Sequence, residues 1–182
     1  MRKMKGNIIT EKYEILKNPD FKPVAYADYG QIFDKEKNEV VLWAYYVPDC
    51  FVKNGFHCSA LATGLHDCCD VFFDGLYLRY FRDKSYLFAP LMMHELGHFI
   101  NGDTSNTETP LLARTDFVSL GMVDPREVKA DKFAAENIGV EIMIKALKYI
   151  KGKRASSNRK GNELATKELE NRIRILRELT IE

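Results

Sequence analysis

The chain has 182 residues, 46% of them hydrophobic, with 27 Lys and Arg against 26 Asp and Glu. That length suits one domain with a real core. A net charge of +1 gives no ground for a nucleic-acid partner or an acidic one, and no apolar run approaches the roughly eighteen residues that span a bilayer.

The amino-terminal stretch "MRKMKGNIITEKYEILKN" is basic but has neither a continuous apolar core nor a small-residue cleavage site, so it does not read as a signal peptide. A soluble, cytoplasmic protein without a membrane span is expected. "PVAYADYG" and "EVVLWAYYV" are rich in β-branched and aromatic residues and flank "QIFDKEKN", which ends in a charged turn. This pattern predicts a hairpin. Cys50, Cys58, Cys68 and Cys69 follow, with His57 and His66 among them. They lack the short paired spacings of zinc-binding cysteines, so reduced thiols are expected in preference to a second metal site.

"DVFFDGLYLRYF" reads as a further β-rich stretch with a bend or bulge at Gly75. From about Asp83 onward the pattern is helical, with helices predicted over 84–101, 111–121, 125–138, 140–151 and 163–179. The third has clear punctuation: Asp124 as N-cap, Pro125 at the first helical position and Gly139 to close the end. "KGKRASSNRKGN" (151–162) reads as a mobile, solvated loop, with a substrate-binding or lid role as the alternative. There is no internal repeat. One domain over 1–182 is expected, β-rich over 20–82 and helical over 84–182.

The chemistry concentrates in "LMMHELGHFINGD", residues 91–103. Positions four apart on a helix share a face, so His94 and His98 can offer two imidazoles to one metal ion. Glu95 lies about 100° around the same helix, within reach of a water on that metal. The five-residue pattern is a zinc-peptidase signature. A catalytic zinc needs a third protein ligand and one open position. "PREVKADKFAAENIG" supplies Glu127 and Asp131, again four apart. Glu127 can complete the ligand set, and Asp131 can accept from the far nitrogen of a ligand histidine. The competing reading makes Glu127 a capping-box acid and Asp131 a solvated one, but it leaves the match with the histidine pair unexplained.

"HELGHFINGD" followed by "EVKADKFAAENIG" resembles the HtpX-type and CAAX-prenyl-protease-type metallopeptidases, which are gluzincins. "SALATG" (59–64) and "VFFDGLYLRYF" (71–81) look like that family's upstream segments, and "ELENRIRILREL" (168–179) resembles the segment that carries its active-site arginine. The resemblance covers roughly residues 59–179. It implies a zincin-like α+β fold, with a small, mostly antiparallel sheet packed on the helix of His94 and His98. It also implies that Arg172 stabilises the oxyanion or anchors substrate. Two features depart from the family. The best-known members are membrane-embedded, so their membrane substrates are not carried over. Thr166-Lys167 also stands where the family often has His-Pro, and His57 and His66 are replacements by residue type alone. The ImmA/IrrE-type peptidases share the metal pattern but usually have Asn where Asp131 stands.

The expected function is therefore a zinc-dependent metalloendopeptidase acting on peptides or proteins. His94, His98 and Glu127 would hold Zn2+, Glu95 would act as general acid and base, Arg172 would assist, and Asp131 would back a histidine. An extended substrate would add to a sheet edge near 60–64 or 71–74, where Phe73 is either core or a substrate contact. The alternatives are a zinc-binding regulatory protein that keeps the fold without catalysis, and a repressor-cleaving regulator like the ImmA/IrrE-type peptidases.

Overall fold

The computed structural model describes residues 7–48, 60–63, 68–103, 122–156 and 162–179. They form an α+β arrangement. Six strands make one sheet: β1 (Ile8–Ile9), β2 (Tyr13–Lys17), β3 (Ala27–Asp34), β4 (Glu39–Tyr46), β5 (Ala60–Thr63) and β6 (Cys69–Phe73). The order across the sheet is β1-β2-β3-β4-β6-β5, antiparallel except where β4 runs parallel to β6.

The expected hairpin is β3–β4. Its turn closes where Asp34 Oδ1 accepts from the backbone N–H groups of Glu36 (2.9 Å) and Lys37 (3.2 Å). Alternation then sorts the strands into two faces. Tyr13, Ile15, Ile32, Leu42, Ala44, Cys69, Val71 and Phe73 are buried on one of them. β6 lies between β4 and β5, so the edge expected near 71–74 is interior and Phe73 belongs to the core. Among the described residues the edge strand beside β6 is β5.

Among the described residues there are five helices: α1 (Gly75–Asp83), α2 (Phe88–Ile100), α3 (Pro125–Ile138), α4 (Val140–Ala155) and α5 (Asn162–Glu178). α1 replaces the second half of the expected β-rich stretch. The strand ends at Phe73, and Asp74 caps the helix by accepting from the N–H groups of Leu76 and Tyr77. Leu78 and Phe81, three apart, then turn into the core. The helix expected from 84 begins later, after a short 3-10 turn over Ser85–Leu87. α3 has the predicted bounds and caps. α4 continues through Ala155, so the expected loop from 151 is helical in its first part. The expected helix at 111–121, the rest of that loop at 157–161, and Cys50, Cys58, His57 and His66 lie outside the described residues.

α2 is the centre of the packing. Phe88, Ala89, Leu91, Met92, Met93 and Leu96 are all buried, as expected of a helix covered on every side. It packs against β4, β5 and β6, against α3 and against α4. Met143, Ile144 and Leu147 of α4, with Leu169, Ile173 and Leu176 of α5, complete the same core. No helix among the described residues is long and apolar enough to cross a membrane.

Candidate metal centre

The site is built at the crossing of α2 and α3. Gly97 sits between the two histidines in sequence, and Ala130 sits between Glu127 and Asp131. A Cβ on Gly97 would stand 3.0 Å from Ala130 Cα and 3.1 Å from its carbonyl oxygen. Two small residues therefore let the backbones approach, and that approach brings the acids of one helix onto the histidines of the other.

The inward atoms converge. His94 Nε2 and His98 Nε2 are 3.1 Å apart, with their rings almost perpendicular. Glu127 Oε2 lies 3.4 Å from His94 Nε2, and Oε1 lies 3.5 Å from His98 Nε2. One donor atom from each of the three residues falls within 4.8 Å of the others, so the group could hold a metal ion.

The outward nitrogens are backed by acids. His94 Nδ1 is 2.8 Å from Asp131 Oδ1. His98 Nδ1 is 3.0 Å from Asp103 Oδ2. Asp103 was not anticipated from the sequence. Its position follows from how α2 ends. Gly102, with φ of 77°, donates to the Phe99 carbonyl, and Asp103 N–H reaches back to the His98 carbonyl at 2.9 Å. This is the double hydrogen bond of a left-handed glycine stop, and it folds the Asp103 carboxylate onto the last ligand turn. The Gly-Asp pair at the end of "HFINGD" is the sequence signal that marks it.

Arg172 departs from its expected role. Its side chain is 5% exposed. Nε and Nη2 each meet an Asp131 oxygen at 2.6 Å, and Nη1 meets Glu127 Oε2 at 2.7 Å. Glu168, one turn earlier on α5 and also buried, stands 3.9 Å from Nη1. A guanidinium committed to carboxylates behind the ligands is not aimed at a substrate oxyanion. The i,i+4 pair Glu168 and Arg172 was visible in the sequence, but its burial was not.

The electrostatics follow from burial opposed by charge. Burial works against the imidazolium of His94, but Asp131 and Glu127 prevail and raise its pKa to about 9. Burial would raise the Asp131 carboxyl, yet Arg172 and then His94 hold it below its ordinary value. Burial likewise opposes the Arg172 charge, and Asp131 and Glu127 outweigh it.

No family model, curated protein or solved structure matches the chain. The chemistry of the site rests on its own atoms. Glu95 lies next to His94 on α2, half-buried. Its carbonyl oxygen is 3.9 Å from Cys69 Sγ at the start of β6. Burial pushes the Cys69 thiol upward, with Glu95 and Asp70 adding to the effect. Thr63, the last residue of edge strand β5, pairs with Asp70. Among the described residues β5 is the last strand on that side of the sheet, and it packs against α2, the helix that carries Glu95.

Proposed function

We propose that the chain is a zinc-dependent metallopeptidase of zincin-like architecture, with zinc held by His94, His98 and Glu127 and with Glu95 as the general base. The observation that carries this reading is the convergence of one donor atom each from His94, His98 and Glu127 within 4.8 Å, with the two Nε2 atoms 3.1 Å apart and Glu127 Oε1 3.5 Å from His98 Nε2. Bonds of about 2.0–2.1 Å to a tetrahedral zinc put neighbouring donors about 3.3 Å apart, so the donors fit that ion. Charge supports the same reading. Glu127, Asp131 and Glu168 are all buried close to Arg172, so the site is rich in carboxylates, as a cation site would be. The family resemblance and the packing of a mostly antiparallel sheet on α2 are consistent with it.

When bound, zinc supplies Lewis acidity, polarising a carbonyl and bringing the pKa of water toward neutrality. The remaining work falls to the chain. Asp131 and Asp103 fix the tautomers of His94 and His98, so that each Nε2 lone pair faces inward. The Glu95 carboxylate takes a proton from the attacking water and passes it to the nitrogen of the leaving amine. An extended peptide pairs with the outer edge of β5 through its backbone, which brings a peptide bond beside Glu95. Peptides and proteins are the substrate class.

Glu95→Gln tests the proposal. The change keeps size and removes basicity without touching a ligand. The variant is expected to keep one zinc and its fold while losing about 10²- to 10⁴-fold of its hydrolysis rate on a diverse peptide library read by mass spectrometry. Equal rates for variant and wild type would overturn the mechanism. A wild type that holds zinc but cleaves nothing would point instead to a regulatory zinc-binding protein.

A further inference from the structure

The two oxygens of Glu127 are not equivalent. Both face a histidine, Oε2 at 3.4 Å from His94 Nε2 and Oε1 at 3.5 Å from His98 Nε2, but it is Oε2 that Arg172 Nη1 meets at 2.7 Å. The same guanidinium forks onto both oxygens of Asp131, the acid behind His94. One buried cation on α5 therefore grips a ligand and the partner of a second ligand, both on α3.

We propose that Arg172 is the positioning residue of the metal site: by holding Glu127 Oε2 and both Asp131 oxygens, it leaves Glu127 to bind the metal through Oε1 alone. This rests on the metal reading above and deepens it. A carboxylate oxygen in a short, charge-assisted hydrogen bond has its lone pair largely committed. Coordination through that oxygen would also set a dication against a guanidinium. The consequence is functional. A carboxylate that binds through two oxygens fills two coordination positions, whereas binding through one preserves the open position that a catalytic zinc requires. A fork that serves two carboxylates at once is specific to arginine, since lysine presents a single compact charge.

Cobalt(II) in place of zinc reads this directly in the full-length chain, because its visible absorption is strong in four-coordinate sites and weak in five- or six-coordinate ones. The wild type is expected to give the strong, four-coordinate spectrum. Arg172→Gln and Arg172→Lys are expected to bind zinc about 10- to 100-fold more weakly in a chelator competition, the scale of losing a group that supports a ligand. They should also shift cobalt toward the weak spectrum as Glu127 Oε2 turns to the metal. Circular dichroism checks folding. Should Arg172→Gln fail to fold, Arg172→Lys, which keeps the buried charge, and the wild-type spectrum decide. Variants with unchanged zinc affinity and unchanged cobalt spectrum that lose only kcat would overturn the proposal and return Arg172 to a direct role on substrate. A weak, higher-coordinate spectrum in the wild type would also overturn it. A wild type that takes up no metal defeats the metal reading itself, an outcome distinct from either.

Discussion

Each histidine of the pair is held from behind by an acid, and the two acids stand in different surroundings. Asp131 is 1% exposed and shared with Arg172, whereas Asp103 is 17% exposed at the end of α2. Their removal should therefore differ in kind. Asp103→Ala is expected to weaken zinc about 10- to 100-fold with little effect on the unfolding of the metal-free protein. Asp131→Ala should add a loss of about 1–3 kcal/mol in denaturant unfolding, because it takes two of its close carboxylate contacts from a buried guanidinium. Equal stability losses would show that Asp103 is as structural as Asp131. The pKa of His94, raised to about 9, carries a sign of its own. The stability it contributes to the metal-free protein is fully present below its ordinary 6.5 and is lost as pH rises through about 9. Zinc must displace that proton, so apparent affinity should climb roughly tenfold per pH unit toward 9. A flat profile between pH 6.5 and 8.5 in competition titrations would contradict that proton displacement. Spacing alone made His94, His98, Glu127 and Asp131 legible, because i,i+4 pairs share a helix face whatever surrounds them. Asp103 depends on a left-handed turn, and the role of Arg172 depends on which donors face which acids. Neither is a matter of spacing.

At the level of elements, the α2–α3 crossing sets the distance between ligands. The Gly97 contact with Ala130 tolerates no methyl group without movement, since Phe133 Cβ also lies 3.3 Å from the position a Cβ would take. Gly97→Ala should cost about 1–3 kcal/mol of stability through overpacking. It should weaken zinc as well, although no ligand is changed, because His94 and His98 move away from Glu127. Tight zinc binding by this variant in the same competition assay would mean that the crossing is not what sets the site. The legibility of elements followed their punctuation. α3 was readable to the residue because Asp124, Pro125 and Gly139 mark both ends. α1 was misread because Phe72, Phe73, Leu76, Tyr77, Leu78, Tyr80 and Phe81 form an aromatic-rich stretch in which neither period stands out, although Asp74 carried the cap signal. β2 was missed because it is short, with Glu14 between Tyr13 and Ile15 and Lys17 ending it inside a basic stretch, so that it resembles a polar loop.

Over the whole molecule, the sheet lies on one side of α2, and α3 to α5 supply the other, so the candidate site forms where the two meet. The general α+β plan was legible from the change of pattern near Asp83. The strand order was not, because the parallel pairing of β4 with β6 depends on long-range contacts that no local signal encodes. Among the described residues that order leaves no strand on the outer side of β5. A guest chain aligned there is recognised mainly by its backbone, and pairing repeats every two residues. Sliding the guest by one residue exchanges the faces its side chains present, while sliding by two restores them. Digestion of a long, unstructured substrate whose sequence strictly alternates two residue types is therefore expected to cut at every second bond and yield a ladder of fragments differing by two residues. Mass spectra with cuts at every successive bond would mean that pairing at this edge does not set the frame.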